Sequence, residues 1–175
     1  MINKIKNRVE KYIKSENLFS LDQKIILAIS GGADSVCLMY IFLELGIDFE
    51  LAHCNFNLRG SESEDDEVFI KELASKHKLK LHLKKINTQE YALSRNISIQ
   101  MAARDIRYEW FNYLKDKNNA HYIATAHHLD DSIETSLLNF IRGTGINGLR
   151  GISSKRDNIV RPLLTLTRIE IEEYL

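Results

Sequence analysis

The chain is poor in the residues that punctuate or staple a fold. Pro162 is the only proline among 175 residues, and Cys37 and Cys54 are the only cysteines. Two thiols make no disulfide framework and suit a reducing compartment. No apolar run approaches the ~18 residues that a membrane span requires. The N-terminal residues alternate charged and apolar groups, without the apolar centre and small-residue cleavage site of a secretion signal. There is also no net charge: Lys+Arg and Asp+Glu both total 24, so the composition gives no general attraction for nucleic acid. Repeats and Ser/Gly/Pro-rich linkers are absent. These absences lead us to expect a cytoplasmic domain with no membrane partner.

What is present is ordinary globular material, 44% hydrophobic and 27% charged, in which short β-branched runs alternate with helical patterns. Ile2, Ile5, Val9, Tyr12 and Ile13 fall at helical spacing. Apolar runs at 24–30, 49–53, 80–86, 121–125 and 158–163 read as strands. Helical patterns fill 36–45, 63–77, 98–117 and 130–143, and another begins at 167. Ser63 and Asp66 have the spacing of a capping-box variant. Ile99, Ala103, Ile106, Trp110 and Leu114 recur on one face, and Ile133, Leu137 and Ile141 on another face expected to turn toward the core. The alternation predicts an α/β fold, Rossmann-like, with a parallel five-stranded sheet and helices on both faces. Ligands in such sheets bind beyond the carboxyl ends of the strands, where the winding reverses.

At the end of the first strand stand Ser30, Gly31, Gly32, Ala33, Asp34 and Ser35. Paired glycines let backbone N–H groups approach an anion, and the following helix adds its positive end. The two serines add hydroxyl donors. Asp34 would repel a phosphate unless a cation lay between them, which implies Mg²⁺. No Gly-Lys-Ser/Thr follows, so this is not the lysine-bearing P-loop. Asp130, Asp131 and Glu134 gather at a strand-to-helix junction, where a carboxylate can cap the helix, meet a cation, or do both. Arg104 and Arg107, three apart, can reach one anionic site with forked guanidinium groups, although surface pairing with Asp105 or Glu109 would also occupy them. His53, His127 and His128 lack a zinc-ligand spacing and suit hydrogen bonding near a nucleotide. Cys37 reads as core, and the acidic run 62–67 as a solvated face. Gly143, Gly145 and Gly148 match a dinucleotide fingerprint, but a helix precedes them instead of a strand, and we read a loop. Asn96 begins a glycosylation triplet that has no role in a cytosolic chain.

Several segments in register resemble one family. The loop at residues 30–35 is similar to the pyrophosphate-binding loop of the N-type ATP pyrophosphatases, the PP-loop superfamily. His53, Asn55, Leu58 and Arg59 resemble the HxNxxLR segment of the tRNA(Ile)-lysidine synthetases. Ala103, Arg104, Arg107 and Tyr108 resemble their A-R-x-x-R-Y helix, and residues 126–135 their A-H-H-x-D-D-x-x-E-T segment. Residues 138–151 and 161–164 continue the series. Ser132 stands where the family often has Gln.

The resemblance implies ATP, Mg²⁺, L-lysine and an isoleucine tRNA with a CAU anticodon as cofactors and partners, and leaves a homodimer open. It implies ligation of lysine to the 2-carbon of the wobble cytidine through an adenylated intermediate. Catalytic roles pass to Asp34, Arg107, Asp131 and Glu134. ATP contacts pass to Ser30, Gly31, Gly32, Ala33, Asp34, Ser35, His53, Arg104 and His127. Acceptor and lysine contacts pass to Asn55, Arg59, Arg107, Asp131, Glu134 and Arg142, with Mg²⁺ at Asp34 and Asp131. It also implies an N-terminal helix over 1–20 and a catalytic domain over 21–175, cut before later tRNA-binding parts. Rival readings are a thiolating tRNA modifier of the same superfamily, which needs a cysteine set this chain lacks, and a non-catalytic ATP-binding module.

Overall fold

A computed structural model describes residues 2–56, 61–144 and 150–175. In chain order the elements are α1 (Ile2–Ser15), β1 (Ile25–Ala28), α2 (Ala33–Glu44), β2 (Phe49–Asn55), α3 (Ser61–Lys76) and β3 (Leu81–Lys85). There follow α4 (Thr88–Arg95), α5 (Ile99–Lys117), β4 (Tyr122–Ala124), α6 (Leu129–Ile141), β5 (Lys155–Arg156) and β6 (Ile159–Val160). A 3₁₀ turn (Pro162–Thr165) then leads into α7 (Arg168–Tyr174).

The sheet order is β3-β2-β1-β4-β6-β5. Five strands are parallel, as expected, and the two-residue β5 joins β6 antiparallel as a sixth. So short a hairpin carries too few residues for a periodic signal. The winding runs outward from β1 through β2 to β3 and, on the other side, from β4 to β6. The switch point therefore lies between β1 and β4.

Strand β1 is buried on both faces, as its unbroken apolar run requires. Ile25 and Leu27 meet Val36, Met39, Ile41 and Phe42 of α2 together with Ile5, Val9 and Ile13 of α1. Ile26 faces Trp110, Phe111 and Leu114 of α5. Cys37 is core, as expected. Gly46, with φ +66°, ends α2 in the left-handed conformation that glycine tolerates.

Three expectations need correcting. Helix α3 starts at Ser61, which puts Ser63 inside its first turn and not at a cap. Ile99 of α5 is exposed, while the other four residues of its stripe are buried. Helix α6 buries none of its side chains: Ile133, Leu137 and Ile141 are 49%, 57% and 79% exposed. Helical spacing marks a shared face but does not supply a partner for it.

Candidate active site

The carboxyl edge of the sheet opens into a cleft of about 500 Å³. Its floor comes from the ends of β1 (Ala28 and Ile29), β2 (His53 to Phe56) and the turn after β4 (Thr125 to His127). That places it over the switch point, where an open α/β sheet leaves a crevice.

The glycine loop is built by local rules. Gly31 has φ +93°, and a Cβ there would lie 3.3 Å from Asp66 Oδ1. Backbone angle and crowding both select glycine. Gly32 is extended (φ −71°, ψ 157°) and is the N-cap residue of α2. Ser35 Oγ accepts from the Ser30 N–H at 3.2 Å and donates to the Gly32 carbonyl at 2.9 Å. The Gly32 N–H donates to Ser30 Oγ at 3.3 Å. The Ser35 hydroxyl proton thus closes the turn instead of facing outward, so the donors available to an anion are mainly backbone N–H groups at the α2 terminus.

Asp34, in the first turn of α2, faces Arg168 of α7, whose Nη1 lies 2.7 and 2.8 Å from its two carboxylate oxygens. Asp131 both caps and lines: its Oδ2 accepts the His128 N–H at 2.8 Å, and the residue borders the cleft. His128 is buried, with Nε2 3.8 Å from Asp34 and 3.5 Å from Asp131, and Nδ1 3.4 Å from Asp130. Sequence reasoning grouped it only with the other histidines: Asp130 and Asp131 are its neighbours in the chain, but the approach of Asp34 has no local signature. No cluster of three or more His, Cys, Asp or Glu ligands for a metal occurs among the described residues.

The facing wall comes from α5. Arg104 stacks on Tyr108 (5.1 Å) and Arg107 on Phe56 (4.9 Å), and all four residues line the cleft. The arginines are held by aromatic faces, and no ion pair to Asp105 or Glu109 is formed. Tyr108 also packs on Phe111. His127 Nδ1 lies 2.9 Å from Thr125 Oγ1. Burial, then the nearby Arg161 guanidinium, holds its pKa below the ordinary imidazole value and favours the neutral ring. His53 Nδ1 meets the Ile29 carbonyl at 2.9 Å, which fixes that nitrogen as donor, and Nε2 is buried without a hydrogen-bond partner among the described residues. Cys54 lines the cleft with a thiol that burial pushes up to about 12, against Arg107 and Lys84.

The structure therefore brings Ser30, Asp34, Ser35, His53, Asn55, Arg104, Arg107, His127 and Asp131 to one cleft. Gly31 and Gly32 form its adjoining turn, and Ala33 opens α2. Glu134 is exposed one turn beyond Asp131 and outside the lining, and Arg142 caps the far end of α6, about 16 Å from Asp131 along the helix axis. Arg59 lies outside the described residues, as do 145–149 of the glycine-bearing loop. The acidic run is not wholly a solvated face. Glu67 is buried, accepting from Asn55 Nδ2 at 2.9 Å and pairing with Lys71 at 2.7 Å. Lys71 first, then Asn55, holds its carboxyl at about 2. Asp66, its neighbour, borders the cleft beside Gly31. Arg168, from the other end of the sequence, was not anticipated at all.

A glycine cradle at a switch point, faced by arginines and flanked by carboxylates, defines a nucleotide-binding α/β domain. The chain belongs to the PP-loop domain family, an ATP-binding family whose pattern matches residues 1–175. It is 52% identical over 171 residues to the tRNA(Ile)-lysidine synthase of Bacteroides thetaiotaomicron, covering 98% of this chain and 40% of that protein. The enzyme of the same name from Porphyromonas gingivalis is 50% identical, with 97% and 38% covered. The chain thus spans about two fifths of the length of these relatives. In fold it is similar to a U34-tRNA thiolase from Methanococcus maripaludis, with a TM-score of 0.76 at 16% identity over 99% of this chain and 62% of that one. No helix among the described residues is long and apolar enough to cross a membrane.

Proposed function

We propose that this chain is the ATP-using catalytic part of a tRNA(Ile)-lysidine synthase. The observation that carries the reading is the single cleft in which the glycine loop faces Arg104 and Arg107 while Asp34 and Asp131 border it. Relatives of the same name, 50–52% identical over nearly the whole chain, point the same way.

The loop N–H groups and the α2 terminus hold the β- and γ-phosphates. The 2-carbonyl oxygen of the wobble cytidine attacks the α-phosphate, and pyrophosphate leaves toward the loop. The ε-amine of lysine then attacks the 2-carbon and AMP departs, which succeeds because AMP is a far better leaving group than the bare carbonyl oxygen. Arg107, with Arg104 beside it, stabilises the charge that develops at phosphorus. Lysine must shed a proton before attack, and the Asp131–Glu134 side of α6 supplies carboxylates to take it. Two cleft carboxylates, Asp34 and Asp131, suit Mg²⁺ arriving on the nucleotide, since Mg²⁺ draws most of its ligands from phosphates and water. When bound there it would offset phosphate charge.

Incubation of the intact protein with ATP, lysine and unmodified CAU-anticodon tRNA should give AMP, pyrophosphate and lysidine on nucleoside analysis. Release of ADP instead would sink the proposal. Glu134→Gln should retain ATP binding and lose lysidine formation; unchanged product would remove Glu134 from the lysine step.

A further inference from the structure

The Asp34 carboxylate stands in the first turn of α2, beside the backbone donors that a polyphosphate would use. A bare anion there opposes a second anion. The chain answers with a cation from a helix begun 134 residues later. Arg168 is the first residue of α7, whose N-terminus is closed by a capping box between Thr167 and Glu170. Its Nη1 reaches both Asp34 oxygens, its Nε donates to Glu172 at 2.8 Å, and its backbone N–H donates to Asp130 Oδ2 at 2.7 Å. Glu170 is tied in turn to Arg8 of α1. One residue thus links the glycine loop, the start of α6 and α7. Its side chain is 44% exposed against 27% for that of Asp34, so the pair lies where solvent screens it.

We propose that Arg168 is a positioning residue for nucleotide binding: it holds and neutralises Asp34, so that the carboxylate does not repel whatever phosphate charge no cation offsets. The proposal rests on the nucleotide reading of the cleft. An exposed pair contributes little to folding, so the effect belongs to ligand binding. Without Arg168, the uncompensated Asp34 charge repels metal-free ATP.

The test is a double-mutant cycle on ATP affinity, measured by calorimetry on the intact protein with EDTA and again with saturating Mg²⁺. Arg168→Ala should weaken metal-free ATP about five- to tenfold and Mg-ATP less than twofold, with an unchanged melting temperature. Arg168→Lys, which keeps the charge, should recover most of the loss. In an Asp34→Asn background, Arg168→Ala should have no further effect, because the charge it compensates is gone. A metal-free affinity within twofold of wild type overturns the proposal. So does an equal loss in the Asp34→Asn background, which would mean that Arg168 acts on the phosphates directly or through the stability of α7. Failure of the wild-type protein to bind ATP under either condition removes the nucleotide reading, and this proposal with it. ATP binding without lysidine formation leaves the cycle intact and counts against the ligase reading alone.

Discussion

The adjacent glycines of the loop separate backbone strain from ligand contact. Gly31 sits at φ +93° with Asp66 Oδ1 3.3 Å from where a Cβ would be. An L-residue in that region costs about 1–2 kcal/mol, and Asp66 must also shift by a few tenths of an ångström. At about 2–4 °C per kcal/mol for a domain of this size, Gly31→Ala should melt roughly 2–8 °C lower than wild type. Gly32 is extended, and its Cβ would meet only Ser30 Oγ at an ordinary 3.5 Å. Gly32→Ala should therefore melt close to the wild-type temperature, since the narrower unfolded ensemble of alanine offsets its poorer fit at an N-cap. A methyl group added to the turn assigned to the phosphates crowds the close backbone approach an anion needs, and Gly32→Ala should weaken ATP about tenfold. Thermal denaturation and calorimetric titration of both variants check this directly. A wild-type melting point for Gly31→Ala would refute the strain argument. Wild-type ATP affinity for Gly32→Ala would refute the assignment of this turn to the phosphates.

Two further outcomes rest on the titrating groups. Burial pushes the Glu50 carboxyl upward, but hydrogen bonds from His82, Lys24 and Lys80 outweigh it and hold the group at about 2. Because the folded value is depressed, the stabilisation is complete above the ordinary value of 4.5 and lost as pH falls from there through about 2. Glu50→Gln should be less stable than wild type at pH 7, with a gap that narrows toward pH 2; a pH-independent gap in melting temperature would contradict the linkage. Cys37 and Cys54, both raised to about 12 by burial, should alkylate at pH 7.5 more than about a hundredfold slower than an unperturbed thiol. Labelling of the native protein at the rate of free cysteine would show that Cys54 is not held in the protonated form.

Local patterns carried the parts of this fold that local chemistry decides. The five parallel strands, the glycine turn between β1 and α2, the core position of Cys37 and the stop of α2 at Gly46 are written in short stretches. Hydrophobic period and positive-φ tolerance are properties of neighbours in the chain. The same holds for the loop–helix junction at Asp131, whose capping geometry needs only three residues of spacing. The pairing of residues far apart in sequence had no such signature. Ile133, Leu137 and Ile141 make a stripe whether or not another element covers it. Glu67 looked like one charge in a solvated run until Asn55, Lys71 and Lys85 closed around it. Arg104 and Arg107 had acidic neighbours one and two residues away, yet their partners are the rings of Tyr108 and Phe56. Asp34 and Arg168 meet only because the sheet brings the ends of β1 and β4 side by side and returns α7 onto α2. Sequence alone determined which residues can bend, cap or bury themselves. The tertiary structure decided which charges compensate one another, because electrostatic interaction depends on separation in space and not along the chain.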